Sequence, residues 1–169
     1  PTLLDSLLPG KVVVLYGPRQ VGKTTLCREL IRECPYRSRF VNADELIFRE
    51  VLSSQNSQKL GEILDDAELL VIDEAQRVPE IGLNLKLMVD NFPNVRIIAT
   101  GFSSFDLANR VSEPLTGRAL TYTLFPISFS EISNTLGKLE ARSQLERWLI
   151  WGGYPAISSC DNTTFRKQL

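Results

Sequence analysis

Apolar residues in this chain fall into short unbroken runs, separated by stretches in which they recur at every third or fourth position. Val12-Val13-Val14-Leu15-Tyr16 and Glu68-Leu69-Leu70-Val71-Ile72 are such runs, the pattern of strands buried on both faces of a parallel sheet. Arg39-Phe40-Val41-Asn42-Ala43, Val95-Arg96-Ile97-Ile98-Ala99 and Leu120-Thr121-Tyr122-Thr123-Leu124 are further strand candidates. Helices are predicted from Thr24 to Ile31, from about Asp44 to Leu52 and near Gln58 to Leu64, with the small polar segment Ser53-Ser54-Gln55-Asn56-Ser57 read as a loop. Ile81, Leu85, Met88, Val89 and Phe92 share one face of a helix that packs on the sheet. Ser128 followed by Glu131 is a capping-box pattern, which stabilises the first turn of a helix by about 1 kcal/mol. A last long helix is expected from about Glu140 to Ile150, with Leu145, Trp148 and Leu149 on one face. Strands alternating with helices predict an α/β fold, a parallel sheet covered by helices on both faces.

Composition narrows the picture. The chain has 169 residues, 43% of them apolar, enough for roughly one domain with a sizeable core. Nineteen basic against twenty acidic residues leave a net charge of −1, so nothing marks the chain as a nucleic-acid or membrane binder. Histidine is absent, which removes histidine triads, histidine general bases and histidine metal ligands. Cys27, Cys34 and Cys160 are odd in number and lack C-x-x-C spacing, a pattern of free thiols in a reducing interior. No signal peptide or run of eighteen apolar residues occurs, which points to the cytoplasm. The chain opens on Pro1 and closes on Phe165-Arg166-Lys167-Gln168-Leu169 without an ending signal, and reads as a fragment of something longer.

Chemistry enters between the first strand and the first helix. Gly17-Pro18-Arg19-Gln20-Val21-Gly22-Lys23-Thr24 spells G-x-x-x-x-G-K-T, followed by Thr25, and strand, loop and helix in that order are the context of a phosphate-binding P-loop. Dense phosphate charge is best met by backbone N–H groups aimed at one point. Glycines permit the required backbone conformations and close approach, and the helix N-terminus adds unpaired N–H groups and the positive end of its dipole. Lys23 is expected to reach the β- and γ-phosphates, and the Thr24 hydroxyl to ligate Mg²⁺.

A second feature closes the third strand, where Leu70-Val71-Ile72 runs into Asp73-Glu74. In isolation the pair reads first as a cap for the next helix. Beside a P-loop it reads differently: Asp73 holds Mg²⁺, often through water, and Glu74 is the general base for the attacking water. Thr100, at the end of the next strand, either orients that water or touches the γ-phosphate, or it simply begins a turn capped by Ser103 or Ser104. Arg110 and Arg118 stand on loops. Such an arginine can stabilise transition-state charge, in cis or from a neighbouring subunit, although most surface arginines are merely solvated.

Six stretches then appear in a telling order: Gly17 to Thr25; Ile72-Asp73-Glu74-Ala75-Gln76-Arg77-Val78-Pro79-Glu80; Ala99-Thr100-Gly101-Phe102-Ser103-Ser104; Leu115-Thr116-Gly117-Arg118; Phe125-Pro126-Ile127-Ser128-Phe129-Ser130-Glu131; and Trp151-Gly152-Gly153-Tyr154-Pro155. Together they resemble the prokaryotic AAA+ ATPases that carry an N-terminal ATPase core and a C-terminal domain of unknown function. The likeness runs from about Leu8 to Ile157. It implies a three-layer P-loop core with a five-stranded sheet of order 5-1-4-3-2, the Asp73 strand lying beside the P-loop strand. It further implies that Thr100 is a sensor-1 position and Arg118 an arginine finger, hence a homo-oligomer. Gly152-Gly153-Tyr154-Pro155 resembles the Gly-x-Pro element of signal-transduction ATPases, with Pro155 at the adenine pocket, and also reads as a helix C-cap followed by a turn. Phe102 departs from the family pattern, which has Ser there, and bears on whether Thr100 serves as a sensor. The core is expected over 1–137, with 138–169 the truncated start of a helical or winged-helix segment.

The leading expectation is therefore Mg-dependent binding and hydrolysis of ATP, coupled to a client these residues leave unspecified. The alternative is a nucleotide-gated switch that holds ATP or ADP with little turnover. A small-molecule kinase fits less well, because Asp73-Glu74 at a strand end suits water activation and no Arg-rich lid occurs. A GTPase is disfavoured by the lack of an Asn-Lys-x-Asp tetrad.

Overall fold

The computed structural model describes residues 3–102 and 114–155. The chain divides into two compact units, one of Pro1–Gly17 with Lys23–Thr123, the other of Pro18–Gly22 with Leu124–Leu169.

In the first unit, strands β1 (Val12–Tyr16), β2 (Ser38–Asn42), β3 (Leu69–Asp73), β4 (Arg96–Gly101) and β5 (Ala119–Thr123) alternate with helices α1 (Lys23–Glu33), α2 (Leu46–Leu52), α3 (Ser57–Leu64) and α4 (Ile81–Asn91). The five strands form one sheet of order β2-β3-β4-β1-β5, and every pairing is parallel. This is the expected order read from the other edge. One expectation is corrected: β3 is not beside β1, because β4 lies between them and pairs with both. β1 and β3 are buried at every position, as continuous apolar runs require when both faces are covered. Val12, Val14, Leu70, Ile72, Ile97 and Ala99 form one face of the core with Leu52, Leu60, Leu64, Leu85 and Met88 from α2, α3 and α4. Val13, Leu15, Val71 and Ile98 are equally buried on the opposite face, because side chains alternate along a strand. Helices thus cover both faces.

The helix boundaries have local causes. α3 opens at Asn56, whose side chain accepts hydrogen bonds from the N–H groups of Gln58 and Lys59. A short 3₁₀ turn, Ala75–Arg77, follows β3, preceded by Glu74 in the left-handed conformation (φ 56°, ψ 37°).

The second unit holds α5 (Phe129–Leu136), α6 (Lys138–Ser143) and α7 (Leu145–Trp151). The Ser128–Glu131 capping box at the start of α5 is present in both directions. The single helix expected over 140–150 is two helices, broken at Gln144 (φ −98°, ψ 6°). The Ser143 hydroxyl donates to the Glu140 carbonyl at 2.7 Å, a local bond that competes with helix continuation, and the Gln144 side-chain amide donates to the Glu140 carboxylate at 2.8 Å. Gly152 ends α7 at φ 77°. A side chain on Gly153 would meet the Ile127 carbonyl at 2.1 Å, so this close backbone approach requires glycine. Among the described residues no helix is long and apolar enough to cross a membrane.

Candidate functional site

In a parallel α/β sheet, ligands bind beyond the carboxyl ends of the strands. Here β1 ends on Tyr16 and runs into Gly17, its neighbour β4 carries Thr100 one residue from its end, and β3 ends on Asp73. The order β3-β4-β1 therefore places the carboxylate pair, the threonine and the start of the phosphate-type loop along one edge.

The first unit gathers four of the residues singled out in the sequence. Thr24 Oγ1 donates to Asp73 Oδ2 at 2.7 Å. Thr100 Oγ1 donates to the other oxygen, Asp73 Oδ1, at 2.5 Å, and accepts from the Glu74 N–H at 3.2 Å. Asp73 and Thr100 are buried, at 4% and 0% exposure. Thr100 thus bridges the two residues of the carboxylate pair. Neither carboxylate caps the following turn, since the Ala75–Arg77 turn has no side-chain cap bond.

Lys23, 6% exposed, donates from Nζ to the Gly17 carbonyl at 2.8 Å. Burial pulls its ammonium below the ordinary value, and the Glu74 and Asp73 carboxylates act against that shift. The two carboxylates offset part of the cost of burying the ammonium.

The donors around Asp73 suit a hard divalent cation. Thr24 Oγ1 and Asp73 Oδ2 are both oxygens, the ligand type Mg²⁺ takes, and they already meet. Among the described residues no group of three or more His, Cys, Asp or Glu side chains is placed to hold an ion.

Residues Pro18–Gly22 belong to the second unit. Gln20 (φ 62°) and Gly22 (φ 99°) are left-handed, the conformation from which anion-binding backbone nests are built. Pro18, Arg19 and Gln20 are exposed and Val21 is buried; Thr25, on α1 of the first unit, is exposed. A Cβ placed on Gly22 would stand 3.8 Å from Pro155 Cγ, so the proline expected near adenine packs beside the last glycine of the loop.

Arg118 is not part of this cluster. It precedes β5, at the amino edge of the sheet, and donates to Asp90 on α4. Ala119 pairs with Val12 and Thr123 with Tyr16, so a whole strand, about 16 Å, separates Arg118 from the edge where Gly17 lies. Arg110, Ser103, Ser104 and Cys160 lie outside the described residues.

Sequence reasoning assigned no role to Gln76, which donates from Nε2 to Glu74 Oε2. The available signal was its position two residues beyond a carboxylate, within one turn.

A parallel sheet of order 2-3-4-1-5 with a G-x-x-x-x-G-K-T loop after β1 defines a P-loop nucleotide-binding domain. The chain belongs to the AAA family of ATPases: the AAA domain model matches residues 9–133. It is 30% identical over 163 residues to Uncharacterized protein Mb2031c of Mycobacterium bovis and, equally, to Uncharacterized protein Rv2008c of Mycobacterium tuberculosis. Each match covers 92% of this chain and 33% of the relative, so the chain spans a third of the length of these relatives. Among solved structures it is similar in fold to a DNA replication initiation factor, with a TM-score of 0.53 and 14% identity over 98% of this chain and 55% of the other.

Proposed function

We propose that this domain binds Mg²⁺–ATP and hydrolyses it, with a water molecule as nucleophile and Glu74 as general base. The observation that carries the reading is the hydrogen-bonded set Thr24–Asp73–Thr100–Glu74 at the carboxyl edge of the sheet. A cap or a structural salt bridge does not need two threonines committed to one buried aspartate.

On this reading the backbone of Gly17, Pro18, Arg19, Gln20, Val21, Gly22, Lys23, Thr24 and Thr25 receives the phosphates, and Pro155 contacts adenine. Lys23 pairs with the β- and γ-phosphates. Thr24 and Asp73 would hold Mg²⁺ with their side-chain oxygens, and the bound ion would neutralise charge on the phosphates. Glu74 takes a proton from water as the new O–P bond forms and the bond from γ-phosphorus to the bridging oxygen breaks, its electron pair leaving with ADP. Thr100 fixes Asp73 and Glu74 for that step. Arg118, a strand's length from its own site, would act as an arginine finger only toward a neighbouring copy, after leaving Asp90.

The test is phosphate release by the purified protein as Mg²⁺ and protein concentration are varied. Release that stops on chelation of Mg²⁺ supports hydrolysis, and specific activity that rises with protein concentration supports Arg118 acting between copies. Copurified nucleotide without turnover at any concentration selects the alternative, a switch that holds ATP or ADP. Activity independent of concentration removes the finger in trans.

A further inference from the structure

Gln76 makes a contact that none of the preceding roles uses. Its Nε2 donates to Glu74 Oε2. An ionised carboxylate only accepts, so the contact orients the amide with nitrogen on Glu74 and Oε1 turned away from it. That Oε1 is buried and has no hydrogen-bond donor, a condition that costs free energy until a donor arrives. The surroundings are fixed. The Glu74 N–H is held by Thr100 at 3.2 Å, the turn is closed by the Arg77 N–H on the Glu74 carbonyl at 2.9 Å, and Arg77 pairs with Asp44 at 3.2 Å. Glu74 itself sits in a left-handed conformation (φ 56°), the kind of local strain that persists where the surroundings hold it and that clusters at functional sites.

We propose that Gln76 and Glu74 together clamp the attacking water, Glu74 accepting one O–H and Gln76 Oε1 the other. The proposal rests on the hydrolytic reading above. A water that gives both hydrogens to fixed acceptors has its lone pair directed away from them, the orientation in-line attack requires. As the O–P bond forms, the hydrogen facing Glu74 moves to the carboxylate. The hydrogen facing Gln76 stays on the oxygen and leaves with inorganic phosphate. Gln76 is neither protonated nor deprotonated. Its amide suits the task because it has both a donor, which steadies the base, and an acceptor, which faces the water.

The clamp differs from a mere brace on Glu74 in its need for the acceptor. Gln76→Ala removes donor and acceptor; Gln76→Lys keeps a donor for Glu74 and supplies no acceptor. Both variants are expected to lower the pH-independent plateau of kcat at least about tenfold, an effect of lost orientation. That loss is separate from any shift of the acid limb that the lysine charge causes at Glu74, and the KM for ATP and the melting temperature stay near wild type. Gln76→Lys turning over at the parental rate would reduce Gln76 to a brace and overturn the clamp. So would a loss that appears only in KM or in melting temperature. A wild-type protein that binds ATP and releases no phosphate would instead sink the hydrolytic reading, and the clamp with it.

Discussion

Asp73 and Glu74 show how much chemistry one strand end can state in sequence. A carboxylate buried at the end of an apolar run, as Asp73 is, demands donors or a cation. What the residues alone did not disclose was which donors. Thr24, Thr100 and Asp73 are scattered along the chain, and they meet only because β4 is inserted between β1 and β3. Thr100 reads in sequence as a water-orienting side chain or the start of a turn, and the structure adds its hydrogen bonds to Asp73 and to the Glu74 N–H. Gln76 was invisible because a glutamine in a turn is usually solvated. Cys27 yields a prediction at this scale. Burial, helped by the Asp73 carboxylate, pushes its thiol from 9.0 up to about 12. A native value above the unfolded one means that the neutral thiol's contribution is complete below about pH 9 and is lost as pH rises toward 12. Wild-type protein should therefore lose more stability between pH 8 and 10.5 than Cys27→Ala, as read from urea midpoints at the two pH values. Equal losses would show that the thiol is not held neutral by burial.

Among the elements, legibility follows locality. The apolar runs became β1 and β3 almost residue for residue, and the Ser128–Glu131 capping box stands where its spacing put it. α3 hid its start: Asn56 was absorbed into a polar loop, yet its side chain caps two N–H groups. Removing that acceptor in Asn56→Ala should cost about 1 kcal/mol, lowering the melting temperature by roughly 2–4 °C for a domain of this size. An unchanged melting temperature would mean the cap contributes nothing to folding. The break at Gln144 escaped notice because Leu145, Trp148 and Leu149 keep helical spacing on either side of it. Hydrophobic period reports which face is apolar, and side chains that bond back to the Glu140 carbonyl and carboxylate are silent in that signal.

For the whole molecule, the parallel α/β class followed from alternation alone, whereas strand order did not. Order is a matter of crossovers, and it came from likeness to AAA+ ATPases rather than from any period in the sequence; the implied order holds, with β4 rather than the Asp73 strand beside β1. The same insertion carries Thr100 between the loop strand and the carboxylate strand. Arg118 sits at the opposite end of the strands, paired with Asp90.

The central claim, that Glu74 activates a hydrolytic water on ATP held by this site, is tested most directly by γ-phosphate release from Glu74→Gln beside wild type, with bound ATP measured in the same samples. The variant should retain ATP and turn over at least about a hundredfold more slowly, as loss of a general base requires. Phosphate release by Glu74→Gln at the wild-type rate would contradict it.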